Sequence, residues 1–236
     1  MRAIFIKDLR AGFTSLRTYL FMAAFLVFGG LYFTRFTAAL SLSQADDLFA
    51  DLSVILAFLL PVLSMPSFAS EHRSGTDKLL LSGPVSVAAI VLGKFLALLC
   101  IYAFTLLLCL VIPLVVLLQS GGHAGALLLC ALGLFLFGMA ALALGVFISS
   151  LTAHPFRCLT LNLLVLLVLW LLFGVLPHVG NPILNSILSV FSLFGRLEAF
   201  VYGYLQPSAI LYLFTFAIFF LLLTCKSIDL RRANKV

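Results

Sequence analysis

Long apolar runs broken by short polar stretches set the pattern of the chain. A helix needs about 20 apolar residues to cross roughly 30 Å of hydrocarbon. Six runs meet that measure, at 19–40, 52–68, 95–118, 124–151, 159–176 and 209–225. The period-two alternation of a membrane β-barrel strand is not sustained over any long stretch. The pattern predicts an all-α integral membrane fold, one transmembrane domain over 1–236 with six transmembrane helices.

The stretches between the runs carry their own patterns. At ~100° per residue, Phe5, Ile6, Leu9, Phe13 and Leu16 share one arc, while Lys7, Arg10, Thr14 and Arg17 fall outside it. Ile4 falls on the polar side. An N-terminal interfacial amphipathic helix over 1–17 follows, apolar face in the acyl boundary and basic face toward headgroups. In 71–84, Ser74-x-x-Asp77 reads as a capping box and Gly83-Pro84 as a stop, framing a short helix. Leu79 and Leu80 give that helix apolar anchors, Asp77 and Lys78 give it polar edges, and Gly75 permits close backbone approach. A short leucine-bearing helix outside the bilayer suits a groove on a partner. Pro61 and Pro66 should bend span two near its second end. Span four is rich in Gly and Ala (Gly133, Gly138, Ala141, Gly145), which suits close helix contact. The segment 177–206 is apolar yet punctuated by Pro177, Gly180, Pro182, Gly195 and Gly203, and reads as an outer re-entrant segment sheltered by protein.

Composition sharpens this picture. With 64% hydrophobic and 9% charged residues, the runs absorb most of the chain and leave no second soluble domain. Twelve of the fourteen Lys and Arg fall on one side of the six-span arrangement, leaving Arg35 and Arg196 opposite, with Asp46, Asp47 and Asp51. Both termini are therefore expected in the cytoplasm. The net charge of +6 is topological and faces anionic lipid headgroups. No basic surface outside the bilayer is long enough for a nucleic-acid partner. The basic-then-apolar N-terminus lacks a small-residue cleavage site after a short apolar core, so it reads as retained.

Candidate chemistry on the chain itself is thin. There is no G-x-x-x-x-G-K-[ST] loop; Gly93–Lys94 is followed by Phe95 and lacks the upstream glycine. No ionisable residue lies at the middle of a span, which argues against a proton-coupled carrier, although backbone carbonyls can hold sodium. His72, His123, His154 and His178 divide between both faces, and no two cysteines have metal-ligand spacing. No catalytic residue, resident metal or cofactor is expected in this chain. The few polar side chains within spans, Ser64, Thr105 and Asn162 among them, hint at a lipid-like or amphipathic cargo.

One run is more specific than any of these patterns. Pro61-x-x-Ser64-Met65-x-Ser67-Phe68-Ala69-x-Glu71-x-Arg73-Ser74-Gly75-Thr76-x-x-Leu79-Leu80-Leu81-x-x-Pro84-Val85-Ser86, followed by Val91-Leu92-Gly93-Lys94, resembles the signature of type-2 ABC exporter permeases. Within them it resembles the gliding-motility and nitrous-oxide-reductase-maturation branch. Weaker echoes are Ile4-x-x-Lys7-x-Leu9, Gly145-x-x-Ile148-Ser149-Ser150-Leu151-Thr152 and the basic pair Arg231-Arg232. The resemblance implies a six-span permease of a bacterial cytoplasmic (inner) membrane, paired with a second copy or a related permease. Two ABC ATPase subunits would bind ATP and Mg in its place. It further implies a coupling helix that contacts the ATPase through Glu71, Gly75, Thr76, Asp77, Lys78, Leu79 and Leu80. A second cytoplasmic contact would come from Thr152, His154 and Arg157. At Asp77 and Lys78 the chain departs from the family pattern, which has an apolar and then an acidic residue. From the residues alone, an ATP-independent carrier or channel, or a membrane assembly factor, also stays open.

Overall fold

The structure, a computed structural model, describes residues 2–39, 45–75, 86–120, 124–175, 192–201 and 205–233. Among them every regular element is helical: α1 (Arg2–Phe13), α2 (Leu16–Ala39), α3 (Ala45–Ser64), α4 (Ala69–Ser74), α5 (Val87–Ser120), α6 (Ala124–Leu151), α7 (Pro155–Val175), α8 (Leu193–Val201) and α9 (Pro207–Ala233). Five are long and apolar enough to cross a membrane, and the bent pair α1–α2 makes a sixth. This is an all-α integral membrane fold. The helices outrun the apolar windows read from the sequence, since a helix continues past the hydrocarbon wherever its backbone bonds can be closed. So α5 begins at Val87 rather than near Phe95, and α9 runs on to Ala233.

α1 turns away from α2 by 66°. Thr14 Oγ1 donates back to the Arg10 carbonyl (3.0 Å) and Ser15 N to Gly12 O (3.0 Å), closing the last turn before the bend. The face of α1 that packs inward is Ile4, Phe5, Asp8, Leu9, Gly12 and Phe13, along α5, with Phe13 edge-on to Phe104 at 5.8 Å. That face is rotated from the expected arc. Ile4 packs against the core, whereas Ile6 is exposed and Leu16 is 75% exposed at the start of α2. The physical reason is Asp8, a residue hydropathy assigns to water, which instead points toward a buried cation described below.

α6 is the centre of the bundle, in contact with α3, α4, α5, α7, α8 and α9. Its Gly and Ala content makes this possible, because small residues let neighbouring backbones come close. A Cβ at Gly145 would overlap Ser64 of α3 and lie 2.7 Å from Asn162 Nδ2 of α7, so three helices meet there. Tyr102 of α5 donates its hydroxyl to the Leu134 carbonyl of α6 (2.6 Å). Phe137 meets Phe194 of α8 at 5.0 Å, and Phe147 meets Phe220 of α9 at 5.6 Å. α7 and α9 keep Leu164, Trp170, Leu211 and Leu222 on the outside, the surface a bilayer would cover.

Pro61 lies inside α3, and the helix stops one turn later at Ser64; Met65 N still reaches Pro61 O (3.0 Å). A turn over 65–68 then leads into α4. The short helix α8, from the segment read as re-entrant, buries Leu193, Phe194, Leu197 and Phe200 against the bundle. Residues 177–191 of that segment lie outside the described residues.

Candidate functional site

One end of the bundle gathers the start of α1, the α3–α4 turn, α4, the first turns of α5, the end of α6, the start of α7 and the end of α9. Helix α4 is the hub of this end. Its N-cap residue, Phe68, has no side-chain cap of its own. Ser149, near the end of α6, supplies one from across the bundle. Its Oγ accepts from Phe68 N (3.0 Å) and Ala69 N (3.1 Å), and donates to the Met65 carbonyl (3.2 Å). A single buried hydroxyl thus satisfies the orphan donors that open a helix and the carbonyl that precedes it. At the other end of α4, Gly75 sits in the left-handed region at φ 72 and returns its N–H to His72 O (3.4 Å). Ser74 therefore closes α4.

The side chains of α4 reach in two directions. His72 Nε2 is 2.7 Å from an Arg231 guanidinium nitrogen near the end of α9. A guanidinium can only donate, so the imidazole nitrogen accepts. Glu71 Oε1 lies 2.7 Å from Lys94 Nζ of α5, and Lys94 Nζ is also 3.3 Å from Asp8 Oδ2 of α1. Lys94 is 5% exposed; Glu71 and Asp8 are 17% and 18% exposed. The Phe68 ring covers another side of the ammonium at 5.3 Å from its centroid. Exposed Lys7 of α1 stands 3.8 Å from Glu71. The Lys94–Glu71 contact has hydrogen-bond geometry, whereas Asp8 Oδ2, although buried, makes no hydrogen bond among the described residues. Ser67 Oγ, also buried, likewise makes no hydrogen bond among the described residues. Beside this cluster a cleft of about 650 Å³ opens between α1, the turn after α3, and α5, with Ser67, Glu71 and Lys94 on its wall.

The sequence-predicted contact residues are distributed as follows. Glu71 turns its carboxylate into the bundle, so only the backbone and outer edge of α4 face outward at that position. Gly75 is the last described residue of the segment, and Thr76, Asp77, Lys78, Leu79 and Leu80 lie outside the described residues. Thr152 bonds back to Ile148 O (3.2 Å), while His154 and Arg157 are exposed at the α6–α7 turn, on the same end as α4. Phe156, 74% exposed, adds an apolar side chain to that turn. The polar trio within the spans serves packing: Thr105 bonds to its own helix at Ile101 O (2.8 Å), and Asn162 Nδ2 donates to Ser64 Oγ (3.1 Å). Sequence reasoning counted Lys94 as a topological charge and missed its partners. The signal was faint: a lysine about two turns inside a helix, with acids 23 and 86 positions away.

Within 2–226, nearly the whole chain, a family model described as ABC-2 family transporter protein matches. No curated protein matches the chain. A helical bundle of five or six spans, with a cluster of ion pairs and capping bonds at one end and its motif run leading through α3 and α4, agrees with that match: the chain belongs to the ABC-2 transporter family, a family of membrane permease subunits.

Proposed function

We propose that the chain is the permease subunit of an ATP-driven exporter, forming the translocation path and taking its power from two separate ABC ATPase subunits. It works as a dimer, with itself or a related permease. Its basic end faces the cytoplasm of a bacterial inner membrane, together with both termini. The 75–82 stretch is the coupling segment, docking in a groove of the ATPase through Leu79 and Leu80, and the turn carrying Thr152, His154 and Arg157 makes the smaller second contact. The branch we assign is that of the gliding-motility and nitrous-oxide-reductase-maturation permeases, on the Pro61–Lys94 run.

The observation that carries this reading is how α4 is tethered. It runs straight into the coupling segment, and it is bonded to α6 through Ser149, to α5 through Lys94 and to α9 through Arg231. Load applied at residues 75–82 therefore reaches three spans at once. An ordinary connecting loop needs no such anchorage. ATP shifts the conformational equilibrium only by its different affinity for the two states of the complex, so a stiff link between the sites is what makes that difference felt in the membrane.

If the proposal holds, the neighbouring gene should encode a Walker-motif ATPase, and the test is reconstitution with that protein. The two proteins should co-purify, and replacing Leu79 and Leu80 together with Asp should abolish both the capture and transport-coupled hydrolysis while the permease still accumulates in membranes. Unchanged capture by the double variant, or cargo movement in liposomes by the chain alone, overturns the proposal.

A further inference from the structure

Lys94 is one buried cation between two carboxylates on different elements, and only one of them is hydrogen-bonded to it. The short bond, 2.7 Å, goes to Glu71 on α4; Asp8 on α1 stands at 3.3 Å, its Oδ2 buried and without a hydrogen bond among the described residues. A buried ionised acceptor left unmade is costly, and an ammonium has three donors to offer. Once Glu71 withdraws, turning the ammonium toward Asp8 replaces the lost charge-assisted bond with another, so Lys94 has a hold in either arrangement.

The surroundings allow the exchange. Packed protein interiors resist movement, but here the about 650 Å³ cleft lies against Lys94, Glu71 and Asp8, so the Glu71 side of α4 faces open space rather than packed side chains. The N-terminus of α4 is held by Ser149, a pivot, and its C-terminus ends on left-handed Gly75, where the coupling segment begins. Lys94 itself stays in place, about two turns inside α5 and covered by Phe68.

We propose that Lys94 is a positioning residue that changes partners during the transport cycle, bonded to Glu71 in the state described here and to Asp8 once the coupling segment is displaced. When Glu71 is drawn away with α4, the ammonium is handed to Asp8, and the N-terminal helix α1 locks onto α5 as α4 leaves. The two acids thereby give α1 and α4 alternate principal holds on the same span. This rests on the ATP-coupled reading above.

The experiment uses the full chain co-purified with its ATPase. Asp8→Asn keeps the shape but removes the second anionic acceptor. It should be captured by the ATPase as well as the unaltered chain and show the same KM for ATP. Its transport-coupled kcat should fall about tenfold or more, the factor expected when an interaction worth one power of ten is lost from one state only. Asp8→Glu should recover most of that loss, which a purely structural defect would not allow. Full coupled turnover in Asp8→Asn overturns the exchange and leaves Lys94–Glu71 as a fixed anchor; loss of capture by the unaltered chain would instead sink the ATP-coupled reading. Should Asp8→Asn fail to accumulate, spin labels at Arg10→Cys on α1 and Arg73→Cys on α4, both exposed positions, decide the matter in a cysteine-free chain. Their separation should shift when nucleotide is added to the complex, and a distance distribution that does not move overturns the proposal.

Discussion

Lys94 illustrates how a charge can be both a topological marker and an interior bond. A buried ion pair is weak support for stability as a pair, yet breaking it by removing one member is expensive, because the other is left uncompensated. Lys94→Met would remove the buried cation from between Glu71 and Asp8 at the inner edge of the cleft, leaving exposed Lys7 at 3.8 Å from Glu71. It should lower stability by about 3 kcal/mol, the low end of that penalty because both acids keep some access to water. The triple change Asp8→Leu, Glu71→Met and Lys94→Met removes all three charges and should melt close to the unaltered protein, while coupling stays lost. Melting of the detergent-solubilised chain checks both; equal melting of the single and triple variants would show that the cluster does not hold this end together.

At the level of the helix, α6 carries the packing and Gly145 marks the crossing where it meets both α3 and α7. Gly145→Val would drive a branched side chain into Ser64 and Asn162, which themselves hydrogen-bond across α3 and α7. Overpacking of this kind costs about 1–3 kcal/mol, and here it also separates a polar pair. A fall in the unfolding midpoint in detergent, with Gly145→Ala intermediate, is the expected outcome; no change in either would mean that α3 and α7 give way freely. The close contacts of α6 were legible in the sequence because small residues in a run otherwise rich in Leu and Phe have few other uses. The spans were legible because lipid-facing helices such as α7 and α9 are apolar nearly all round, and hydropathy reads that directly. The face of α1 was not. The wheel centred on Phe5, Ile6, Leu9, Phe13 and Leu16 and left Asp8 out of account, since hydropathy scores a carboxylate by its affinity for water and cannot see a lysine 86 positions along the chain. Ser149 was equally opaque: a serine ending a span reads as a polar boundary, and its role as the cap of α4 exists only once α3 and α6 lie side by side.

The same separation between what hydropathy records and what packing creates governs the molecule as a whole. Charge asymmetry orients a bundle because Lys and Arg next to a span resist translocation, so the end bearing them stays inside. Here that end is also where α1, α4, the first turns of α5, the α6–α7 turn and the end of α9 converge, so orientation and mechanism are one question. At 1.5 Å per residue the twenty residues of α3 span about 30 Å, enough to put residue 47 and α4 on opposite sides of the hydrocarbon. In a chain stripped of its five native cysteines, Asp47→Cys should react with a membrane-impermeant maleimide applied to intact cells. Arg73→Cys and Arg157→Cys should react only in inverted vesicles. The reverse pattern would place the tethered end of α4 outside, away from any ATP-hydrolysing partner. Labelling of all three from one side would mean that α3 does not cross at all, and the load path from α4 into the spans would have no bilayer to work against.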